Sequence, residues 1–171
     1  SIIPVYGKMK LGPATMDTSA KGFDLYIKDT EGRYGPAGRW IFAESHGGRP
    51  DKPATIKDGM DDSMKEFLLY LPTYSEVLSL QIGVEKGYKI REIDNPFRHR
   101  IAIFGSSFTH GASTSRPGMT YPAQLGRMTG LQFLSLGCSG NSKLQRHFAE
   151  ALAAAEHLAA GILALAKGAN Y

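Results

Sequence analysis

IAIFGSSFTHG, residues 101–111, carries an apolar run into a glycine, two serines and, three residues after the second serine, a histidine. RIAIFG (100–105) is short, apolar and closed by glycine, the pattern of a strand buried on both faces in a parallel sheet. Gly105-Ser106-Ser107 then stands where such a strand must turn. A serine on that turn can present its hydroxyl to a cleft as a nucleophile. Serines behind a glycine are also ordinary polar loop residues. The flanking sequence has to separate these readings.

TYPAQLGRMTG (120–130) predicts a helix, with Pro122 near its start and Gly130 at its end. LQFLSLG (131–137) predicts a second buried strand, and GCSGN (137–141) follows it. Residues 142–166 predict one long helix, with Leu144, Phe148, Leu152, Ala155, Leu158, Ile162 and Leu165 at three- and four-residue steps. Strand, loop, helix, repeated, opens a doubly wound α/β fold, in which ligands bind beyond the carboxyl ends of the strands. Both Ser/Gly loops fall at that edge. A glycine such as Gly140 admits close approach of backbone and substrate, and N–H groups there can point at a developing oxyanion.

Upstream, the texture is antiparallel β. FDLYI (23–27) and RWIFAE (39–44) predict a hairpin through KDTEGRYGPAG (28–38). SHGGRPDKP (45–53) reads as a loop, and EFLLYLP (66–72) and VLSLQIGVE (77–85) as further strands. The expected organisation is an N-terminal antiparallel β-sandwich, jelly-roll-like, over 1–96, followed by the start of an α/β domain over 97–171. Pro96 and FRHR (97–100) mark the boundary.

Composition excludes several classes. The 171 residues are 42% hydrophobic, enough for a packed core and against disorder. The lone Cys138 excludes an internal disulfide framework. A net charge of +4 comes from dispersed Lys and Arg, so no nucleic-acid partner is expected. The Ala-rich stretch 149–166 contains Glu150, Glu156 and His157, so it reads as a packed helix and no membrane association is expected. None of the five histidines has metal-ligand spacing supported by acids or cysteine, so neither a metal nor a cofactor is expected. His147 and His157 read as helix-packing or solvated, His46 and His99 as surface residues, and Trp40 as sandwich core or a sugar-stacking platform. No signal-peptide pattern opens the chain at Ser1, which leaves the compartment open; a periplasmic or secreted location after removal of a leader is compatible.

Taken together, FGSSFTHG, SRPGMTYPAQLGR and LSLGCSGNSKL resemble the SGNH, or GDSL-like, hydrolases. The likeness is to the branch with an N-terminal β-sandwich, which includes carbohydrate (acetylxylan-type) esterases. MDTSAKGFDLYI (16–27) and EFLLYLP extend it over about residues 10–148. The resemblance implies an ester hydrolase acting on acyl esters, O-acetyl groups of carbohydrate first among them. It makes Ser107 the nucleophile, with Ser106 replacing the usual aspartate, and Gly140 an oxyanion-hole donor. Asn141 belongs to the second block, and His110 is expected beside the cleft. Arg116 stands at a position characteristic of the branch; it binds a substrate carboxylate or sugar hydroxyls, or pairs with a structural acid.

The family pattern also needs a third-block asparagine and a C-terminal Asp-x-x-His. Residues 101–171 contain no aspartate, so that last block is not in them. A doubly wound domain takes about five strands and 150–200 residues, whereas 71 residues follow Arg100, room for two strands. The chain is therefore expected to be a fragment, poorly active alone, with an open sheet edge that favours self-association into a homo-oligomer. Two other readings stay open. One is a carbohydrate-binding β module, carrying Trp40, Tyr26, Tyr34 and Tyr70, with a vestigial hydrolase segment. The other is an oligomerising fragment that packs through its last helix.

Overall fold

The computed structural model describes residues 1–9, 14–28, 40–46, 53–95, 99–143, 145–154 and 158–164. Most of the predicted turn at 28–38, residues 47–52 of the loop predicted at 45–53 (its Ser45 and His46 end a strand instead), the boundary residues 96–98, Leu144, His157 and the tail from 165 lie outside the described residues. The chain divides into two compact units, Ser1–Ile93 with Ser115–Gly118, and Asp94–Thr114 with Met119–Tyr171.

The first unit contains β1 (Ile2–Met9), a short helix α1 (Asp17–Ala20), β2 (Phe23–Lys28), β3 (Trp40–His46), β4 (Phe67–Tyr70) and β5 (Ser75–Ile82). All its pairings are antiparallel: β1 with β5, and β2 between β3 and β4. FDLYI and RWIFAE pair as predicted, with Tyr26 opposite Phe42. β1 was not among the expected strands. Its sequence, IIPVYGKM, carries Pro4 and Gly7, which weaken a strand reading. The distant β5 supplies its ladder, with irregular register on both sides of Tyr6.

Strand alternation sorts the side chains of β2. Phe23 and Leu25 turn inward to a core formed with Ile2 and Ile56, and Tyr6, Leu69, Val77 and Leu80 pack around it. Side chains from both antiparallel sheets thus share one core. The Tyr6 hydroxyl donates to the Lys21 carbonyl. Burial pushes its phenol up to about 12, so it stays a donor at any physiological pH.

The second unit contains β6 (Arg100–Gly105), α2 (Ser107–His110), α3 (Tyr121–Thr129), β7 (Gln132–Gly137), α4 (Arg146–Ala153) and β8 (Leu158–Ala164). β6 is central, and both neighbours run parallel to it in the order β7-β6-β8. Ala102, Ile103 and Phe104 are buried, as an all-apolar central strand requires. Phe104 packs on Phe148 of α4 with ring centroids 4.7 Å apart. α3 starts with a proline in its first turn and ends on Gly130 in the left-handed region, as its sequence predicts. This is an α/β unit built on a parallel sheet.

One expectation is overturned. The long helix over 142–166 does not form: α4 ends at Ala153, and Leu158–Ala164 is a third parallel strand with Ile162 opposite Ile103. An apolar run without a polar face fits a buried strand as well as a buried helix, and periodicity cannot separate them. Gly161 weakens a helix there by about 1 kcal/mol relative to alanine. Pairing with β6 then overrides the helical preference of the alanines. The room for two strands estimated from chain length is corrected to three. Among the described residues no helix is long and apolar enough to cross a membrane.

Amide exchange distinguishes the two forms of this segment. In a strand paired on one side, alternate N–H groups of 158–164 face β6, so protection is expected at every second residue. A helix would protect consecutive amides throughout, and that result would restore the original reading.

Candidate active site

β6 and β7 pair in strict register from Arg100–Gln132 to Gly105–Gly137. The Cys138 N–H extends the ladder by one bond, to the Gly105 carbonyl at 2.9 Å. The loops after the two strands therefore leave one edge of the sheet side by side. With the strand order β7-β6-β8, β6 sits where the winding reverses, the place at which doubly wound sheets bind ligands.

The first loop becomes α2. Ser106 is its N-cap, with extended backbone and a side chain that accepts the Phe108 N–H at 3.4 Å. Serine and aspartate are equally good N-caps, so the local geometry survives the exchange of one for the other. Ser107 opens the helix, half-buried, and its hydroxyl makes no hydrogen bond among the described residues. The helix is a single turn and is held from outside. Thr109, 2% exposed, shares a hydrogen bond with the Tyr121 hydroxyl at 2.7 Å, and the Ser135 hydroxyl donates to the Thr109 carbonyl at 2.7 Å. α2 also lies directly on the end of β7. A Cβ at Gly137 would come within 2.1 Å of the His110 backbone nitrogen, so no side chain is tolerated there.

The second loop is a tight turn. The Asn141 N–H donates to the Cys138 carbonyl at 2.9 Å, and Gly140, at φ 73°, occupies the left-handed third position that such a turn reserves for glycine. The Asn141 side-chain amide donates to the Ser139 carbonyl at 3.2 Å. His110 reaches across to this turn, its Nδ1 3.2 Å from the Ser139 hydroxyl. Ser107, His110, Gly140 and Asn141 are thus gathered at one edge of the parallel sheet. His110 bonds to Ser139, and the structure gives it no bond to Ser107.

Arg116 belongs to the first unit. Its Nη1 lies 3.4 Å from Asp24 Oδ2 and 3.5 Å from the Tyr26 hydroxyl, and its guanidinium stacks 3.9 Å above the Phe42 ring centre. Asp24 is fully buried and also accepts the Gly118 N–H at 2.8 Å. Alternation on β2 produces this arrangement: Asp24 and Tyr26 point away from the core that holds Phe23 and Leu25. Of the two roles open to Arg116, the structure displays the pairing with a structural acid. Gly118 is wedged beside both partners, since a Cβ there would lie 2.7 Å from the Tyr26 ring.

Asp24, Thr109, Gly137 and the Ser139 contact were not singled out in the sequence. Asp24 left a signal, a lone carboxylate inside the apolar FDLYI; the others left none, because each is defined by a neighbour distant in sequence. His147 is exposed and stacks on Phe148 with ring centroids 4.8 Å apart. Trp40 is half-buried. Among the described residues no group of His, Cys, Asp or Glu is placed to hold a metal ion.

A parallel sheet with a capped Ser-Ser turn at one strand end and a Ser-Gly-Asn turn at the next has the form of an SGNH-type hydrolase. Comparison with known proteins agrees. Residues 98–163 match the GDSL-like lipase/acylhydrolase family, and residues 5–90 match the family described as the N-terminus of SGNH hydrolase-type esterases, GxDLY. The letters of the latter name fall on Gly22, Asp24, Leu25 and Tyr26. A crystal structure of a protein from Bacteroides ovatus, described as a "putative GDSL-like lipase", is 41% identical with a TM-score of 0.84 over 96% of this chain. The match covers 47% of that protein, so the chain spans about half its length. No curated protein matches. The chain belongs to the SGNH, GDSL-like esterase family.

Two substitutions test the geometry. Asp24→Ala leaves the Arg116 cation and the Gly118 N–H without their acceptor and is expected to cost about 3–5 kcal/mol in urea unfolding; a loss below about 1 kcal/mol would show that the buried carboxylate is dispensable. Gly137→Ala forces α2 off the strand end. It is expected to lower thermal stability and to shift the Thr109 and His110 amide resonances, whereas unchanged resonances would contradict the close approach.

Proposed function

We propose that this chain carries the nucleophile and one side of the oxyanion hole of a serine esterase that removes acyl groups, chiefly O-acetyl, from carbohydrate. The observation that carries the reading is the register that sets the Ser107 turn beside the Gly140 turn. The Ser107 oxygen attacks the acyl carbon, and the charge that develops on the carbonyl oxygen is met by the N–H groups of Ser107 and Gly140. The ester C–O bond breaks, the alcohol leaves with a proton, and water then releases the acid and restores the serine. The proton of Ser107 passes to a base, in the family pattern the histidine of Asp-x-x-His. Residues 101–171 hold no aspartate, so that block is sought outside them. His110 is engaged with Ser139, which argues against it as a substitute.

In this reading the two antiparallel sheets of the first unit are the halves of a β-sandwich, supported by the core they share. Arg116, fixed by Asp24 and Phe42, is the candidate for contact with sugar hydroxyls. The acetyl preference and the sugar substrate rest on the family branch that the motifs resemble.

Without a base beside Ser107, reaction with a fluorophosphonate, followed by intact mass, is expected to be slow on this chain, and whatever adduct forms is expected to fall on Ser107 and to be absent from Ser107→Ala. An adduct that persists in the variant would sink the assignment. On ester substrates the chain is expected to turn over slowly, several orders of magnitude below a complete triad, because triad members act as a unit. Acetyl esters should exceed octanoyl esters, and the opposite order would remove the acetyl assignment while leaving the nucleophile.

A further inference from the structure

We infer that His110 is a positioning residue: through Ser139 it fixes the direction of the Gly140 N–H. The inference rests on the reading of Gly140 as an oxyanion donor. The Ser139–Gly140 peptide is the middle peptide of the Cys138–Asn141 turn. Such a peptide has two orientations, related by a flip of about 180°, that leave the turn's ends and its closing hydrogen bond in place. The flip reverses where the Gly140 N–H points. One orientation aims it at a bound carbonyl; the other hides it.

Two of the described contacts grip Ser139, whose carbonyl belongs to that peptide. The Asn141 side chain donates to the carbonyl itself at 3.2 Å, and His110 Nδ1 meets the hydroxyl at 3.2 Å. With its ring proton on Nε2 the imidazole accepts from Ser139, and with the proton on Nδ1 it donates; either form holds the hydroxyl in place. His110 is a rigid point from which to hold it. It ends the same helical turn that Ser107 begins, its backbone lies against Gly137, and the preceding Thr109 is buried and bonded to Tyr121. The nucleophile and the oxyanion donor are therefore set by one short rigid element, and the histidine transmits its position across the gap between the two loops. This use of His110 needs no contact with Ser107.

The test uses the chain as it stands. The Gly140 amide resonance is followed by NMR, and the maximal rate and half-saturating concentration of fluorophosphonate labelling are measured. His110→Ala is expected to move and broaden the Gly140 resonance and to slow maximal labelling about 10- to 100-fold at unchanged half-saturation, short of the roughly 100- to 1,000-fold cost of deleting an oxyanion donor. His110→Gln, whose side-chain amide can hold the same hydroxyl, should recover both readouts; a proton-transfer role would not be rescued by glutamine. Ser139→Ala should reproduce the alanine effect, and combining it with His110→Ala should add nothing. A Gly140 resonance unmoved in His110→Ala, failure of His110→Gln to restore it, or additive effects in the double variant would each overturn the inference. If labelling proves independent of Ser107 while the Gly140 resonance still answers to His110, the esterase reading falls and the positioning role stands.

Discussion

The parallel pairing that ends with Gly105 opposite Gly137 is the constraint on which the rest of the second unit depends. Ser107 and Gly140 lie more than thirty residues apart in sequence. They meet at one edge because two strands run the same way in register and stop together. Parallel pairing cannot be closed by a hairpin, so the chain must cross over through α3 before β7 begins. The close approach of α2 to the end of β7 then excludes any side chain at Gly137 and lets the two loops touch. The Cys138 N–H on the Gly105 carbonyl and the Ser135 hydroxyl on the Thr109 carbonyl fasten the same junction. Backbone geometry, more than side-chain chemistry, places Ser107, the proposed nucleophile.

Where the sequence was legible, local and global preferences agreed. β6 and β7 are short apolar runs closed by glycine, and α3 has its proline and its glycine at the correct ends. FDLYI and RWIFAE pair antiparallel, as their sequences predict. Ser107 and Gly140 were singled out because they stand on turns at the ends of predicted parallel strands and because their motifs resembled a family, and the structure places both turns at neighbouring strand ends. β8 was missed because Leu158–Ala164 is built of residues that favour helices, and only the neighbouring β6 makes it a strand. β1 was missed because Pro4 and Gly7 speak against a strand, while its evidence lies in β5. The His110–Ser139 contact joins residues whose sequence separation says nothing about their distance. Long-range pairing was the part that composition and periodicity could not supply.

Asp24 shows how a buried charge is kept tolerable in the first unit. A carboxylate with no exposure carries a desolvation cost that only close partners offset. Arg116 brings charge and stacks on Phe42, while the Gly118 N–H brings a short fixed donor. A lysine would supply the charge without the planar face, so the aromatic contact would be lost. The spacing of Arg116 and Gly118 reflects this double service to one oxygen, which explains why the same short segment needs both an arginine and a glycine.

The proposed nucleophile and oxyanion donors are set by hydrogen bonds and backbone contacts that make no use of a general base. A serine in this position is preorganised but not activated: its hydroxyl remains an alcohol until a neighbouring group accepts the proton. The separation has a structural logic. Turn geometry at the β6 and β7 ends is fixed by local contacts, so a base can arrive on a different loop without disturbing it. Geometry near the carbonyl oxygen must be accurate to a fraction of an ångström, because its value comes from donors that need not reorganise. In the proposed site it falls at the ends of the central strand and its partner, where ladder hydrogen bonds and the close approach at Gly137 fix both turns.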